Sequence, residues 1–204
     1  KEVVEMKLID VENASERRLV APIISYPAVS LTNSTALENL KNPLKQYDTL
    51  LEIINEFNID IIMPFIDLTV EAEALGIPIT FHENESPNVD VHPLTKAEEL
   101  KDYKAPNPNT GGRMAVFVSV VKLLKNNTDK IVGGLVCGPF TLAGLMMGAE
   151  KLALNTLMEP DFCKKTMDFA TSAILPYAKA QIKAGADFII LLDPTAVLLS
   201  PKLY

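Results

Sequence analysis

A parallel α/β fold is predicted by three features of the chain. Four short apolar runs, none of them alternating, are separated by longer stretches of helical periodicity. Pro and Gly punctuate the helix starts and stops. The 204 residues, 48% of them hydrophobic, are enough for one filled core, so residues 1–204 read as one domain.

The runs are Val20–Tyr26, Asp60–Phe65, Lys130–Cys137 and Asp187–Asp193. A continuous apolar run is what a parallel strand covered on both faces presents. Before the second run, Asn42 and Pro43 form a cap and first-turn pair, and Leu44, Tyr47, Leu51, Ile54 and Phe57 follow at helical spacing. Residues 77–92 form an excursion that reads as a hairpin or long loop, of the kind that borders sites on α/β scaffolds. Thr95 and Glu98 have capping-box spacing. Met114, Phe117, Val118, Val121 and Leu124 make the stripe of the next helix. Pro160 opens a long helix through Phe162, Met167, Ile174 and Ile182, with Pro176 expected to kink it and Gly185 to stop it. The order β-α-β-α-β-α-β calls for right-handed crossovers. Ser200 and Pro201 read as the start of a further helix.

Composition excludes several classes. The net charge is −7, with nineteen basic residues against twenty-six acidic ones, which disfavours nucleic acid as a partner. Only Arg17, Arg18 and Arg113 are arginines, few for a site that clamps many carboxylates. Two cysteines make no disulfide framework, and a reduced, cytoplasmic setting is expected. No apolar stretch is long enough to span a membrane. The N-terminal Lys1-Glu-Val-Val-Glu-Met6 is too charged for a secretory signal and lacks an initiator Met, so the chain is expected to begin inside a longer reading frame.

Three segments carry a resemblance. Asp60-Ile-Ile-Met-Pro-Phe-Ile-Asp67 with Val70-Glu-Ala-Glu-Ala-Leu-Gly76, then Gly138-Pro-Phe-Thr-Leu-Ala-Gly-Leu-Met-Met-Gly148, then Gly185–Tyr204 with its Asp193-Pro-Thr195, occur in the order found in the uroporphyrinogen decarboxylase superfamily, which the chain resembles over nearly its whole length. The resemblance implies an α/β fold that is a partial (β/α)₈ TIM-type barrel. About four parallel strands with crossover helices would form its first half, since a complete barrel takes about 250 residues. It implies one of two chemistries, cofactor-free decarboxylation of porphyrinogen acetates or zinc-dependent methyl transfer from a methylated corrinoid protein to a thiol such as coenzyme M. The decarboxylase branch has an arginine-rich motif after the first strand, where Ser25–Asn33 here holds no cation; its tyrosine falls on Leu145 and its serine on Pro194. The methyltransferase branch therefore matches better. Decarboxylation and a non-catalytic half-barrel binding module are the alternatives. Zinc would be held by a His-x-Cys pair and a later Cys in the second half of such a barrel, so this chain would supply a wall and no metal ligand. The implied partners are a corrinoid protein, a thiol, and either the other half of the barrel or a second copy of the chain.

Asp67, just past the second run, matches by resemblance the decarboxylase's substrate-bonding Asp, and it also suits an N-cap for residues 68–75. Asp193, past the fourth run, has the same two readings. Gly138, Phe140 and Thr141 open a helix whose free N–H groups could receive a substrate anion such as a sulfonate or a corrinoid phosphate. Gly144 and Gly148 read as packing positions. Cys137, His82 and His92 lack ligand spacing and are not read as a metal site. Glu71 and Glu73, two apart on a helix, face different ways and make no acid/base pair.

Overall fold

The computed structural model of the chain describes residues 8–203, so the charged N-terminal segment 1–6 lies outside the described residues. The elements are α1 (Leu8–Ala14), α2 (Ala36–Lys41), α3 (Pro43–Glu56), β1 (Ile61–Ile62), α4 (Val70–Ala74), α5 (Met114–Asn127), β2 (Ile131–Cys137), α6 (Pro139–Met147), α7 (Ala149–Met158), α8 (Pro160–Ala184) and β3 (Phe188–Leu192). Short 3₁₀ turns lie at Pro27–Thr32, Ala97–Asp102 and Pro194–Leu198. The three strands are parallel in the order β1-β2-β3, with Ile61 opposite Ile131 and Gly133 to Cys137 opposite Phe188 to Leu192. This is the predicted α/β class, a partial (β/α) barrel.

One of the four expected strands is missing from the ladder. Between the backbones of the run 20–26 and the second run only the Val20 carbonyl is engaged, by the N–H groups of Asp60 (3.0 Å) and Ile61 (3.2 Å), while the Val20 N–H donates to the Asp60 carboxylate (2.7 Å). Pro22 and Pro64 supply no N–H, so pairing stops there, and β1 keeps only two residues.

The helices fall where periodicity put them, but two faces are turned. The Asn42 side chain accepts the N–H groups of Leu44 and Lys45, as a cap should. Yet α3 buries Gln46, Thr49, Leu50 and Ile53, leaving Leu44 (59%) and Phe57 exposed. Gln46 goes inward because its amide satisfies two backbone groups, the Asn39 carbonyl (2.9 Å) and the Phe65 N–H (3.0 Å). In α8, Ile182 is exposed while Gln181 is buried for the same reason, bonding both the N–H (3.0 Å) and the carbonyl (2.7 Å) of Leu135. That bridge fastens α8 to β2 beside Gly134, where a Cβ would come within 2.8 Å of the Gln181 Oε1. The helix runs unbroken through Pro176, and Gly185 closes it at φ 113°.

The excursion is a minimal hairpin, bridged antiparallel at Thr80 and Asn88. The capping spacing is shifted by one residue: Glu99, not Glu98, accepts the N–H groups of Thr95 (2.7 Å) and Lys96 (3.0 Å). Gly148 serves a left-handed junction at φ 91° between α6 and α7, so its role is conformational and not close packing. Residues 201–203 form a turn. The outer edge of β3 leaves apolar surface uncovered, with Leu191 54% and Val197 84% exposed.

Candidate active site

Polar side chains collect at the C-terminal ends of the three strands, the functional face of a (β/α) barrel. Asp67 follows β1 and is fully enclosed, its side chain 0% exposed. Its Oδ1 accepts both the N–H (2.8 Å) and the hydroxyl (2.7 Å) of Thr69, and its Oδ2 is ion-paired to Nη1 of Arg113. Thr69 is the cap residue of α4, so Asp67 shapes the turn before the helix instead of capping it directly.

Arg113 is the hub of this end. Its Nε bonds Glu73 (2.6 Å), its Nη2 the Thr69 hydroxyl (3.0 Å), and its guanidinium lies 4.7 Å from the centre of the Phe81 ring on the hairpin. Burial opposes its charge, but Asp67 and Glu73 outweigh that and raise its pKa above the ordinary arginine value.

Glu71 points the other way, and its Oε1 accepts the N–H of Cys137 at 2.7 Å. Burial first, then the nearby Asp67, pushes its carboxyl up to about 8, against the hydrogen bonds from the Cys137 and Glu71 N–H groups and against Arg113, which lower it. The protonated form is therefore the favoured one at pH 7. Burial also drives the Cys137 thiol well above its usual range, with Glu71, Asp193 and Asp67 adding to the effect, so this cysteine is no thiolate nucleophile. Tyr177 of α8, enclosed beside them, is raised by burial and by the same two acids of the α4 side, Glu71 and Asp67.

Asp193, after β3, takes the place of the anion expected at the helix start. Its carboxylate accepts the N–H groups of Phe140 (3.2 Å) and Thr141 (2.7 Å) and the Thr141 hydroxyl (2.6 Å). It therefore caps α6, the helix after the neighbouring strand, and not its own following turn. Gly138 is required by this contact, because a Cβ there would lie 2.3 Å from the Asp193 Cβ. The structure thus brings Asp193, Gly138, Phe140 and Thr141 into one cluster, but its N–H groups are already occupied by the chain's own carboxylate.

Sequence reasoning passed over Arg113, Glu71, Glu73 and Tyr177. The available signal was a pair of acids inside the apolar Val70–Leu75 motif, which needs partners, and one of only three arginines preceding a buried helix. Among the described residues no cluster of three or more His, Cys, Asp and Glu side chains could hold a metal ion. Cys137 and Cys163 are buried, His82 bonds Asn88, and His92 bonds the Leu145 carbonyl. No helix among the described residues is long and apolar enough to cross a membrane.

A parallel sheet with crossover helices and polar groups gathered at its strand ends defines part of a (β/α) barrel. The chain belongs to the uroporphyrinogen decarboxylase (URO-D) family, whose model matches residues 18–204. Members of the family are enzymes, decarboxylases and methyltransferases among them. The chain is 32% identical over 168 residues to the uroporphyrinogen decarboxylase of Aquifex aeolicus, covering 77% of this chain and 47% of that protein. It is 33% identical over 138 residues to the methylcobamide:CoM methyltransferase MtbA of Methanosarcina mazei, covering 66% and 40%. A solved methyltransferase from Methanosarcina mazei has the same fold at a TM-score of 0.82 and 24% identity, over 93% of this chain and 58% of that one. The chain spans about half the length of the curated relatives it matches.

Proposed function

We propose that the chain forms one wall of a cytoplasmic corrinoid-dependent methyltransferase, which moves a methyl group from a methylated corrinoid protein to a small thiol such as coenzyme M. The observation that carries this reading is the closure of Asp67, whose two oxygens are committed to Thr69 and Arg113 inside the core. A porphyrinogen bearing eight carboxylates asks for free cations and a free hydrogen-bonding carboxylate. Here Arg113 is bonded to two acids of its own chain. Arg17 is paired with Asp60 at the opposite end of the sheet, and the loop 25–33 holds no cation. An uncharged methyl group suits a wall whose charges are internally satisfied.

Breaking the carbon–cobalt bond is the corrinoid's chemistry. No group of His, Cys, Asp and Glu side chains among the described residues could hold zinc, so in this reading its ligands would come from outside the 204 residues. The exposed Leu191 and Val197 support pairing with that further half or with a second copy. Decarboxylation is the second reading, favoured by the longer alignment to the Aquifex aeolicus enzyme.

The test runs the complete protein and the 204-residue chain side by side, following methylcobalamin demethylation with coenzyme M, uroporphyrinogen decarboxylation and zinc content. Methyl transfer by the complete protein, with the short chain inactive and below stoichiometric zinc, is the expected result. Decarboxylation in its place overturns the reading, and neither activity leaves a binding module. One-to-one zinc in the short chain returns attention to Cys137, His82 and His92.

A further inference from the structure

We infer that Glu71 is a positioning residue: by accepting the Cys137 N–H from inside the core it ties α4 to the end of β2 and so sets the turn that holds Gly138 against Asp193. Residues 67–73 carry three carboxylates, Asp67, Glu71 and Glu73, and the one guanidinium among them, Arg113, bonds the first and the last. Glu71 is left without a cation although it is 1% exposed. A charged carboxylate in that setting is costly, and the groups that bond it are neutral backbone amides, those of Cys137 and of Glu71 itself. Held as the acid, Glu71 adds no charge to a cluster that two carboxylates and one guanidinium already leave net negative.

The bond it makes falls at a junction. Cys137 ends β2, and the next N–H, that of Gly138, donates to the Leu192 carbonyl at 2.6 Å. The Gly138 Cα then lies against Asp193, which caps α6 through Phe140 and Thr141. Glu71 thus fixes one end of a continuous path from α4 through β2 to β3 and α6. The charged and titratable groups facing it are Asp67 from the turn after β1, Arg113 at the start of α5, Cys137 from β2 and Tyr177 from α8. Ionising Glu71 in place adds a third carboxylate charge to those of Asp67 and Glu73, with Arg113 already committed to both. The cluster then relaxes only by releasing Glu71 from Cys137 or by drawing Arg113 away from its partners.

The kinetic half of this inference rests on the methyl-transfer reading; the structural half does not. Hydrogen exchange of the Cys137 amide is followed in the full chain from pH 5 to 8, for the wild type and Glu71→Gln, which keeps the acceptor oxygen without the titration. Exchange accelerates about tenfold per pH unit from hydroxide catalysis alone, and about a further tenfold where opening frees a proton. The wild type is expected to show both factors and Glu71→Gln only the first. In the complete protein, methyl transfer should fall as pH rises past about 8, and that limb should vanish in Glu71→Gln. Equal exchange slopes overturn the inference, and so does a limb that survives the substitution. Should Glu71→Gln not fold, the infrared carbonyl band of a protonated carboxyl in the wild type decides: its presence at pH 7 supports the inference and its absence overturns it. Failure of methyl transfer at every pH overturns the functional reading, and the exchange slopes still decide the role of Glu71.

Discussion

Removing the guanidinium of Arg113 tests the core of the site most directly. In Arg113→Leu, Asp67 keeps its bonds to Thr69 but loses its ion pair, and it has no route to solvent because its side chain is fully enclosed. Glu73, 25% exposed, can turn outward, so most of the cost falls on Asp67. Deleting one partner of a buried ion pair costs about 3–5 kcal/mol, because the remaining charge stays buried. For a chain of this size urea unfolding has a slope of about 2 kcal/mol per M, so the midpoint should fall by about 1.5–2.5 M. Phe81 also loses its cation contact on that side, which should loosen the hairpin around Thr80 and Asn88. Combining Arg113→Leu with Asp67→Asn should recover a good part of the loss, since the buried charge is then gone. A single-variant shift below about 0.5 M, or no recovery in the pair, refutes the claim that Asp67 is held as a buried ion.

Other substitutions probe the remaining contacts. Asp193→Ala should uncover the N–H groups at the start of α6 at a cost of about 1–2 kcal/mol; sulfate should then raise the melting midpoint of the variant and leave the wild type unmoved. Gly138→Ala places a Cβ 2.3 Å from that of Asp193, and thermal melting should show a loss of about 1–3 kcal/mol from the forced shift. In Glu71→Gln the pH dependence of urea stability should flatten. The wild-type carboxyl is raised from 4.5 to about 8, so between those values the unfolded chain holds fewer protons and stability falls as pH rises. The slope there is about 1.4 kcal/mol per pH unit, levelling off above the folded value. In the complete protein, Asp67→Asn should slow methyl transfer while leaving zinc content intact.

How far this site could be read from sequence depends on the kind of interaction. Apolar periodicity and Pro–Gly punctuation located β2, β3, α5 and α8, because burial of a stripe follows directly from spacing. The first run failed as a strand because Pro22 and Pro64 remove donors that hydropathy does not register. Gln46 and Gln181 were missed as core residues for the reverse reason. Each is polar in the sequence, yet each closes two backbone hydrogen bonds 7 to 46 residues away. Long-range pairings of that kind leave no local pattern.

The same limit governs the charged residues, and it changes what their presence implies. Asp67 and Asp193 stand at strand ends, where a lone carboxylate invites a role on the substrate. The structure gives each a partner set drawn from the chain itself, Arg113 with Thr69 for one and the start of α6 for the other. Two carboxylates that would define a polar mouth are thereby turned into fastenings between neighbouring β/α units. In the proposed methyl-transfer reading, selectivity at this face rests on shape and on the internally satisfied wall they hold in place. Among the described residues the guanidinium at this face, Arg113, is already paired with Asp67 and Glu73, which disfavours a ligand rich in carboxylates, whereas the proposed transfer of a methyl group needs no such cation. The ion pairs that stabilise the half-barrel and the chemistry proposed for it are, in this sense, set by the same few residues.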